Sequence, residues 1–365
     1  MLLFSYYTPT IHNHLFHINV TNQTNFQTTK SSQNMQNKIK WGILGCGKIA
    51  QKFAADLSIS DGGYLYAVAS TSKEKQKVFS DVYPDILTFD SYEDLAACAE
   101  IDAIYVATPH VFHMAHSILC LEHGKAVLCE KPMAVNSAQV QKMIDTARVH
   151  RVFLMEAMWT AFLPAIQDVI NTIQQGTIGE VKHISADFGF KAVYDAKSRL
   201  FDLDLAGGSL LDIGLYPVMI AMLVLGEPTS ITASAQLAPT GADESCTMLL
   251  TYPNGATASL YATLETHTDT KCEIYGSEGK ITIPGRFHEQ DHYLIKMGQD
   301  DEMKINVGKK GLGYAHEIEH VASCLQEGKT ESPIMGFDMS TTLIRILDEI
   351  RLQIGVKYPA DYHDS

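Results

Sequence analysis

The sequence predicts an α/β domain with a parallel sheet, followed by an α+β domain with an open, mostly antiparallel β-sheet. Three observations carry that prediction. Short apolar runs alternate with helical stretches from Lys38 to about Phe153. Beyond about Trp159, strands succeed one another without helices between them. A glycine-rich turn also sits where the first strand would hand over to the first helix.

In the first region, strands are expected at 40–44, 64–69, 103–107, 126–129 and 152–156. Helices are expected at 48–57, 92–98, 114–123 and 137–150. Strands of four to six apolar residues separated by helices imply a parallel sheet covered on both faces. In the second region, helices at 163–175 and 207–225 flank a strand at 181–190. Strands then follow at 230–237, 246–252, 256–264, 271–275 and 280–283. Pro253-Asn254-Gly255 and Ser277-Glu278-Gly279 are turn signals between strands. Runs of strands of this kind make an antiparallel sheet. Helices at 314–327 and 338–354 finish the chain. The expected division is a tail over 1–37, a first domain over 38–157 and a second over 158–365.

The 365 residues are 46% hydrophobic with a net charge of −14, and the mean hydropathy of −0.02 suits a globular chain with a large core. Such an acidic balance excludes a nucleic-acid surface, which needs clustered Lys and Arg. No apolar run approaches the ~20 residues that span a bilayer, so no membrane partner is expected. The seven cysteines are scattered with no C-x-x-C pair, which reads as buried free thiols in a reducing compartment, and a cytoplasmic protein is expected. Residues 1–37 are rich in Asn, Thr, Gln, Ser and His and lack the basic flank of a signal peptide. They read as a flexible tail, with Met35 as an alternative start.

Gly45-Cys46-Gly47-Lys48-Ile49-Ala50 is G-x-G-x-x-A. Gly45 permits the tight turn and Gly47 lets the backbone approach a pyrophosphate. Ala50 allows close helix–sheet packing, and the helix N-terminus offers free N–H groups to the anion. This makes the first domain an α/β Rossmann domain that binds a nicotinamide dinucleotide. An NAD site usually places Asp or Glu at the end of the second strand. Here the segment is Ala69-Ser70-Thr71-Ser72-Lys73, and its hydroxyls and lysine favour NADP, with NAD as the alternative.

Thr108-Pro109-His110-Val111-Phe112-His113 and Gly124-Lys125-Ala126-Val127-Leu128-Cys129-Glu130-Lys131-Pro132 follow. Together with Gly207-Gly208-Ser209-Leu210-Leu211-Asp212-Ile213-Gly214-Leu215-Tyr216-Pro217, they resemble the motifs of the Gfo/Idh/MocA oxidoreductase family. Residues 155–164, Met-Glu-Ala-Met-Trp-Thr-Ala-Phe-Leu-Pro, resemble the branch holding dimeric dihydrodiol dehydrogenases and NADP-dependent D-xylose dehydrogenases. Ala161 departs from that branch, which commonly has Arg there. The resemblance implies a dehydrogenase that moves a hydride between NADP and a sugar or cyclic trans-diol. It also implies cofactor contacts from Thr108, Pro109, His110, His113, Glu130 and Lys131.

Alcohol oxidation needs a base for the hydroxyl proton. Tyr216 lies four residues after Asp212, so on a helix both face one side. A tyrosine near pKa 10 is a poor base unless a cation stabilises its phenolate, and Lys131 at the end of a parallel strand supplies one. The resemblance implies the same roles, with Asp212 holding the polar network; its alternative is a helix cap. Trp159 and Arg199 are candidate substrate contacts, Arg199 also a candidate ion pair. His316-Glu317-Ile318-Glu319-His320 formally matches a zinc motif, but no third ligand stands at a recognised spacing. It reads as a polar helix, so no metal is expected. Two alternatives remain: a reductase of sugar ketones or dicarbonyls, and an NADP-binding regulator without turnover. A homodimer through the open sheet face is expected, since an uncovered sheet would expose an apolar patch.

Overall fold

The computed structural model describes residues 38–363. The expectation of a flexible tail falls on 1–37 and lies outside the described residues. From Ile39 onward the chain is one contact unit.

Six parallel strands form the first sheet in the order β3-β2-β1-β4-β5-β6. They are β1 Lys40–Leu44, β2 Tyr64–Ala69, β3 Leu87–Phe89, β4 Ala103–Val106, β5 Ala126–Glu130 and β6 Leu154–Ala157. Helices α1 Lys48–Ile59, α2 Lys73–Val82, α3 Tyr92–Ala97, α4 His113–Glu122 and α5 Ser137–His150 connect them. Every residue of β4 and β5 is buried, as sheets covered on both faces require. The strand order reverses between β1 and β4, and ligands of doubly wound sheets bind outside the strand C-termini at that switch point. Gly45, Ala107 and Lys131 all follow strands at this edge.

Helix α2 and strand β3 went unforeseen because their apolar signal is thin. Only Gln76 and Phe79 of α2 are buried, and β3 is a three-residue strand at the sheet edge.

Eight strands form the second sheet in the order β14-β13-β12-β11-β7-β10-β9-β8. They are β7 Val181–Gly189, β8 Ser230–Leu237, β9 Asp243–Thr251, β10 Thr257–Thr263, β11 Cys272–Gly276, β12 Gly279–Ile283, β13 His292–Met297 and β14 Met303–Asn306. Only β7 and β10 pair in parallel; the other neighbours are antiparallel. Helices α6 Pro164–Gln174, α7 Leu215–Leu225, α8 Tyr314–Gln326 and α9 Phe337–Ile354 complete the fold. β13 and β14, an edge hairpin of mixed polarity, were also not anticipated.

Helix α7 is apolar on every side, and its residues from Leu215 to Met222 are all buried, the pattern of a central core helix. The stretch Leu203–Leu225 is apolar and long enough to cross a membrane by composition, with 83% of its window buried. This corrects the expectation that no run approaches that length. The burial identifies a core element.

The outward positions of β8, β9 and β10 include Ser230, Thr232, Ser234, Gln236, Thr247, Leu249 and Ser259. Most carry hydroxyl or amide groups, so the outward side of these three strands is largely polar, with Leu237 and Leu249 exposed among them. All seven cysteines are free, and six are buried.

Candidate active site

Gly45 has φ +100°, and a Cβ added there would lie 2.9 Å from the Ala107 carbonyl oxygen. The turn after β1 therefore needs glycine for both conformation and space. Gly47 is different: a Cβ there would meet nothing within 4 Å. It precedes the α1 N-terminus, which no side chain caps. An open cradle at an uncapped helix start fits a dinucleotide pyrophosphate. Cys46 and Ala50 are buried beneath it, with Lys48 and Ile49 between them on the first turn.

At the end of β2, Ser70 Oγ accepts from the Ser72 N–H at 3.2 Å, and Ser72 caps α2 through the Lys75 N–H. Thr71 lies between them. Lys73 pairs with Asp90 on the surface. The hydroxyls expected near a ribose are in place, but the adjacent lysine already has a partner.

His113 is wholly buried, and its two ring nitrogens lie 2.8 Å from the Pro132 and Thr108 carbonyls. It ties the loop after β4 to the segment after β5, so its ring is committed to the protein. The sequence reading names it a cofactor contact; in this structure both of its ring nitrogens face backbone carbonyls. Thr108 Oγ1 meets His116 at 3.0 Å, and Pro109 precedes the short turn His110–Phe112. Burial holds His110 well below its ordinary pKa, with His113 and Lys131 adding to the effect. Glu130 is buried. It accepts from the Tyr105 hydroxyl and from the Lys131 N–H at 3.1 Å, and burial raises its pKa.

Lys131 Nζ donates to the Asp212 carbonyl at 2.7 Å and lies 3.8 Å from the Asp212 carboxylate. The same ammonium stands 5.0 Å from the centroid of the Tyr216 ring. Burial pulls the lysine pKa down, but Tyr216, Asp212 and Glu130 outweigh it and the net shift is upward. Asp212 also accepts from Arg199 at 2.8 Å. Burial pushes the Asp212 pKa up, yet Lys131 and Arg199 overcome that and hold it at about 2.

Asp212 lies inside a wide helical turn, Leu210–Gly214, that has no side-chain cap. The capping alternative is excluded, and Arg199 takes its ion-pair reading. The cap comes from Asp243, which sequence reasoning missed. Its Oδ2 accepts from Ser209 Oγ and the Leu210 N–H, both at 2.7 Å, and burial raises its pKa to about 6. Gly208 has φ +142°, and a Cβ there would come within 2.2 Å of Asp243 Oδ1. The paired glycines thus let the chain pass over the buried carboxylate.

Tyr216, at the start of α7, is 5% exposed. Its hydroxyl accepts from Trp159 Nε1 at 3.1 Å. Burial raises its pKa; the Lys131 charge opposes this but does not reverse it. The Lys131 charge thus acts toward the phenolate, and burial outweighs it.

Trp159 stacks on Tyr314 with ring centroids 4.8 Å apart and stands perpendicular to His288 at 5.9 Å. Tyr314 and His288 were also missed, because nothing in the sequence spacing links residues 159, 216, 288 and 314. Asp56 places Tyr314: its carboxylate accepts from the Leu312, Gly313 and Ala315 N–H groups at 2.9 to 3.2 Å, capping α8 from α1. Ala161 is fully buried. In the H-E-x-x-H segment, His316 Nε2 accepts from the Lys310 N–H and His320 faces Ser332. The two rings are committed to different partners, and no cluster suited to a metal occurs among the described residues.

Residues 39–158 match the model of an oxidoreductase family with an NAD-binding Rossmann fold. Residues 166–282 match the GFO/IDH/MocA C-terminal domain. The chain is 38% identical to the trans-1,2-dihydrobenzene-1,2-diol dehydrogenase of Xenopus tropicalis over 330 residues, 88% of this chain and 99% of that one. It is 34% identical to the human enzyme of the same name, with the same coverage. Among solved structures, a 3-ketoreductase from Actinomadura kijaniata, in complex with NADP and TDP-benzene, superposes with TM-score 0.79 at 25% identity. That match covers 87% of this chain and 98% of the other. An aldose-aldose oxidoreductase from Caulobacter crescentus shares the fold with TM-score 0.79 at 24% identity, covering 87% of this chain and 97% of its own.

Proposed function

This chain belongs to the GFO/IDH/MocA oxidoreductase family, and from that premise we propose that it oxidises a CH–OH group of an aldopyranose such as D-xylose, or of a cyclic trans-diol. NADP is the preferred cofactor, with NAD as the alternative. The observation that carries the reading is the convergence of Lys131, Asp212 and Tyr216, with Trp159 bonded to the tyrosine hydroxyl.

Gly45, Gly47 and the α1 N-terminus would hold the pyrophosphate. Ser70, Thr71 and Ser72 would hold the ribose end, and Thr108, Pro109 and His110 would line the entry to the nicotinamide. Bound there, the oxidised nicotinamide supplies the hydride acceptor and a positive charge. Tyr216 takes the substrate hydroxyl proton. Lys131 orients the oxygen and favours the phenolate by its charge. Asp212 fixes Lys131 and is itself held by Arg199, while Trp159 walls the substrate.

A second reading has a specific observation behind it. Reduction of a sugar ketone would use Tyr216 as the acid, and its burial beside Trp159 favours the protonated form. A cytoplasmic homodimer using the open sheet face is part of the proposal, and sedimentation showing monomer alone would remove the dimer.

The test is the full chain assayed for NADPH and NADH formation with D-xylose, D-glucose and a trans-dihydrodiol. NADPH formation that is lost in Lys131→Met and Tyr216→Phe supports the reading. Tight NADPH binding without turnover of any alcohol or ketone would favour a regulatory protein instead.

A further inference from the structure

We propose that His288 reads a second hydroxyl of the substrate, so that the site takes vicinal diols and polyols in preference to simple alcohols of the same ring. This rests on the dehydrogenase reading above and names what decides its substrate class.

His288 is 4% exposed. Its ring stacks on Phe188 with centroids 4.4 Å apart and lies 5.2 Å from the Tyr216 ring and 5.9 Å from the Trp159 ring. Its backbone is anchored, since Thr160 Oγ1 donates to its carbonyl at 2.7 Å. Arg286, two residues earlier, takes the left-handed conformation at φ 61° and turns the chain into the short helix that carries the histidine. The backbone that carries the imidazole is thereby held beside the proposed acid/base.

Its Nδ1 nonetheless has no hydrogen-bond partner. Buried polar atoms are nearly always paired, and each exception needs a reason. The neighbouring polar atoms do not supply one. Trp159 Nε1 spends its single proton on Tyr216, and Phe188 has none to offer. Burial keeps the imidazole neutral, with a pKa near 3, so one ring nitrogen donates and the other accepts at any working pH. Nδ1 is closed to solvent in this arrangement, so meeting an incoming group takes a turn of the ring about its Cβ–Cγ bond.

A substrate whose reacting hydroxyl lies against Tyr216 would present an adjacent hydroxyl to this face. A monohydric ring leaves the nitrogen unpaired, and a site built to bond a hydroxyl discriminates against the analogue that lacks it.

The test compares trans-cyclohexane-1,2-diol with cyclohexanol, and D-xylose with its monodeoxy analogues. Wild type, His288→Phe and His288→Asn are each measured for kcat/KM and, in the presence of NADPH, for equilibrium binding by quenching of tryptophan fluorescence. Phenylalanine keeps the stack on Phe188 and removes both nitrogens; asparagine restores a polar atom near the Nδ1 position. The expected result is a loss of about tenfold to a hundredfold in preference for the diol in His288→Phe, partly recovered in His288→Asn, with cyclohexanol unaffected.

Equal effects on diol and monohydric alcohol, or no effect on either, would overturn the proposal and assign the nitrogen to a trapped water. Should wild type bind diols selectively through His288 without oxidising them, the dehydrogenase reading fails and the hydroxyl reading stands. If it binds no diol, both fall.

Discussion

Trp159 donates its indole N–H to the Tyr216 hydroxyl at 3.1 Å, while its ring stacks on Tyr314 at 4.8 Å. A donor to the phenol oxygen favours the phenolate, so Trp159 works with Lys131 against the burial that raises the tyrosine pKa. Replacing Trp159 by Phe removes the donor and keeps an aromatic stack. The Tyr216 pKa should rise, and the ascending, acid-side limb of the oxidation pH profile should move to higher pH. An unchanged profile would show that Tyr216 is not the titrating base.

Lys131→Met and Tyr216→Phe each remove one half of the proposed pair. Acid/base groups typically contribute 10²–10⁴-fold, so kcat should fall by about that factor in each. NADPH affinity should change little in Tyr216→Phe, whose site lies beyond the fingerprint. Pre-steady-state hydride transfer together with equilibrium cofactor titration separates the two effects.

Gly47 and Gly45 should respond differently to added side chains. A Cβ at Gly47 meets no protein atom within 4 Å, so Gly47→Val should leave the melting temperature near wild type and weaken NADPH binding more than about tenfold. Gly45→Val forces a β-branched residue to φ +100° against the Ala107 carbonyl, and it should lower the melting temperature itself. Thermal denaturation with and without NADPH reads both.

Two sets of buried groups give stability opposite pH dependences. Burial lowers the His113 pKa to about 4 and the His288 pKa to about 3. The unfolded chain therefore takes up protons from about pH 6.5 downward while the folded one refuses them, and stability falls as the pH drops through that window. Burial raises the Glu156 pKa to about 7. Its contribution is complete below the unfolded value near 4 and is lost as the pH rises through 7. Glu156→Gln keeps an acceptor for the Met133 N–H, which lies 2.9 Å from Glu156 Oε1. It should raise the melting temperature at pH 8 more than at pH 5, and an equal change at both would contradict the linkage.

Arg351 is 5% exposed and bonds Asp348 at 2.6 Å and Asp361 at 2.7 Å. Asp348 also accepts from the Ser137 N–H and Asp361 from Asn136, joining α9 and the chain end to the start of α5. Removing one partner of a buried pair typically costs about 3–5 kcal/mol. Arg351→Met should destabilise by roughly that amount in denaturant unfolding while sparing kcat of the folded fraction.

Local chemistry made much of this protein legible from the chain alone. Apolar alternation marked most core strands because a sheet covered on both faces tolerates little else. The turn from Gly45 to Ala50 was readable because Gly45 alone tolerates its backbone conformation and the nearby Ala107 carbonyl, while Gly47 leaves open space for a ligand. Glu130, Lys131, Asp212 and Tyr216 stood in motifs, so their types and spacing were visible before any fold. Elements with weak apolar patterns, α2, β3, β13 and β14, were not. Nor were the partners brought in from far along the chain: Asp243 under Ser209, Asp56 under Gly313, and His288 and Tyr314 around Trp159. Their pairings span from 34 to more than 250 residues, and no local period encodes them. Tertiary structure also settled the balance of charge. The sequence supplied a lysine and a tyrosine, but only folding determined that burial outweighs the lysine in setting the tyrosine pKa, because desolvation depends on everything packed around the group.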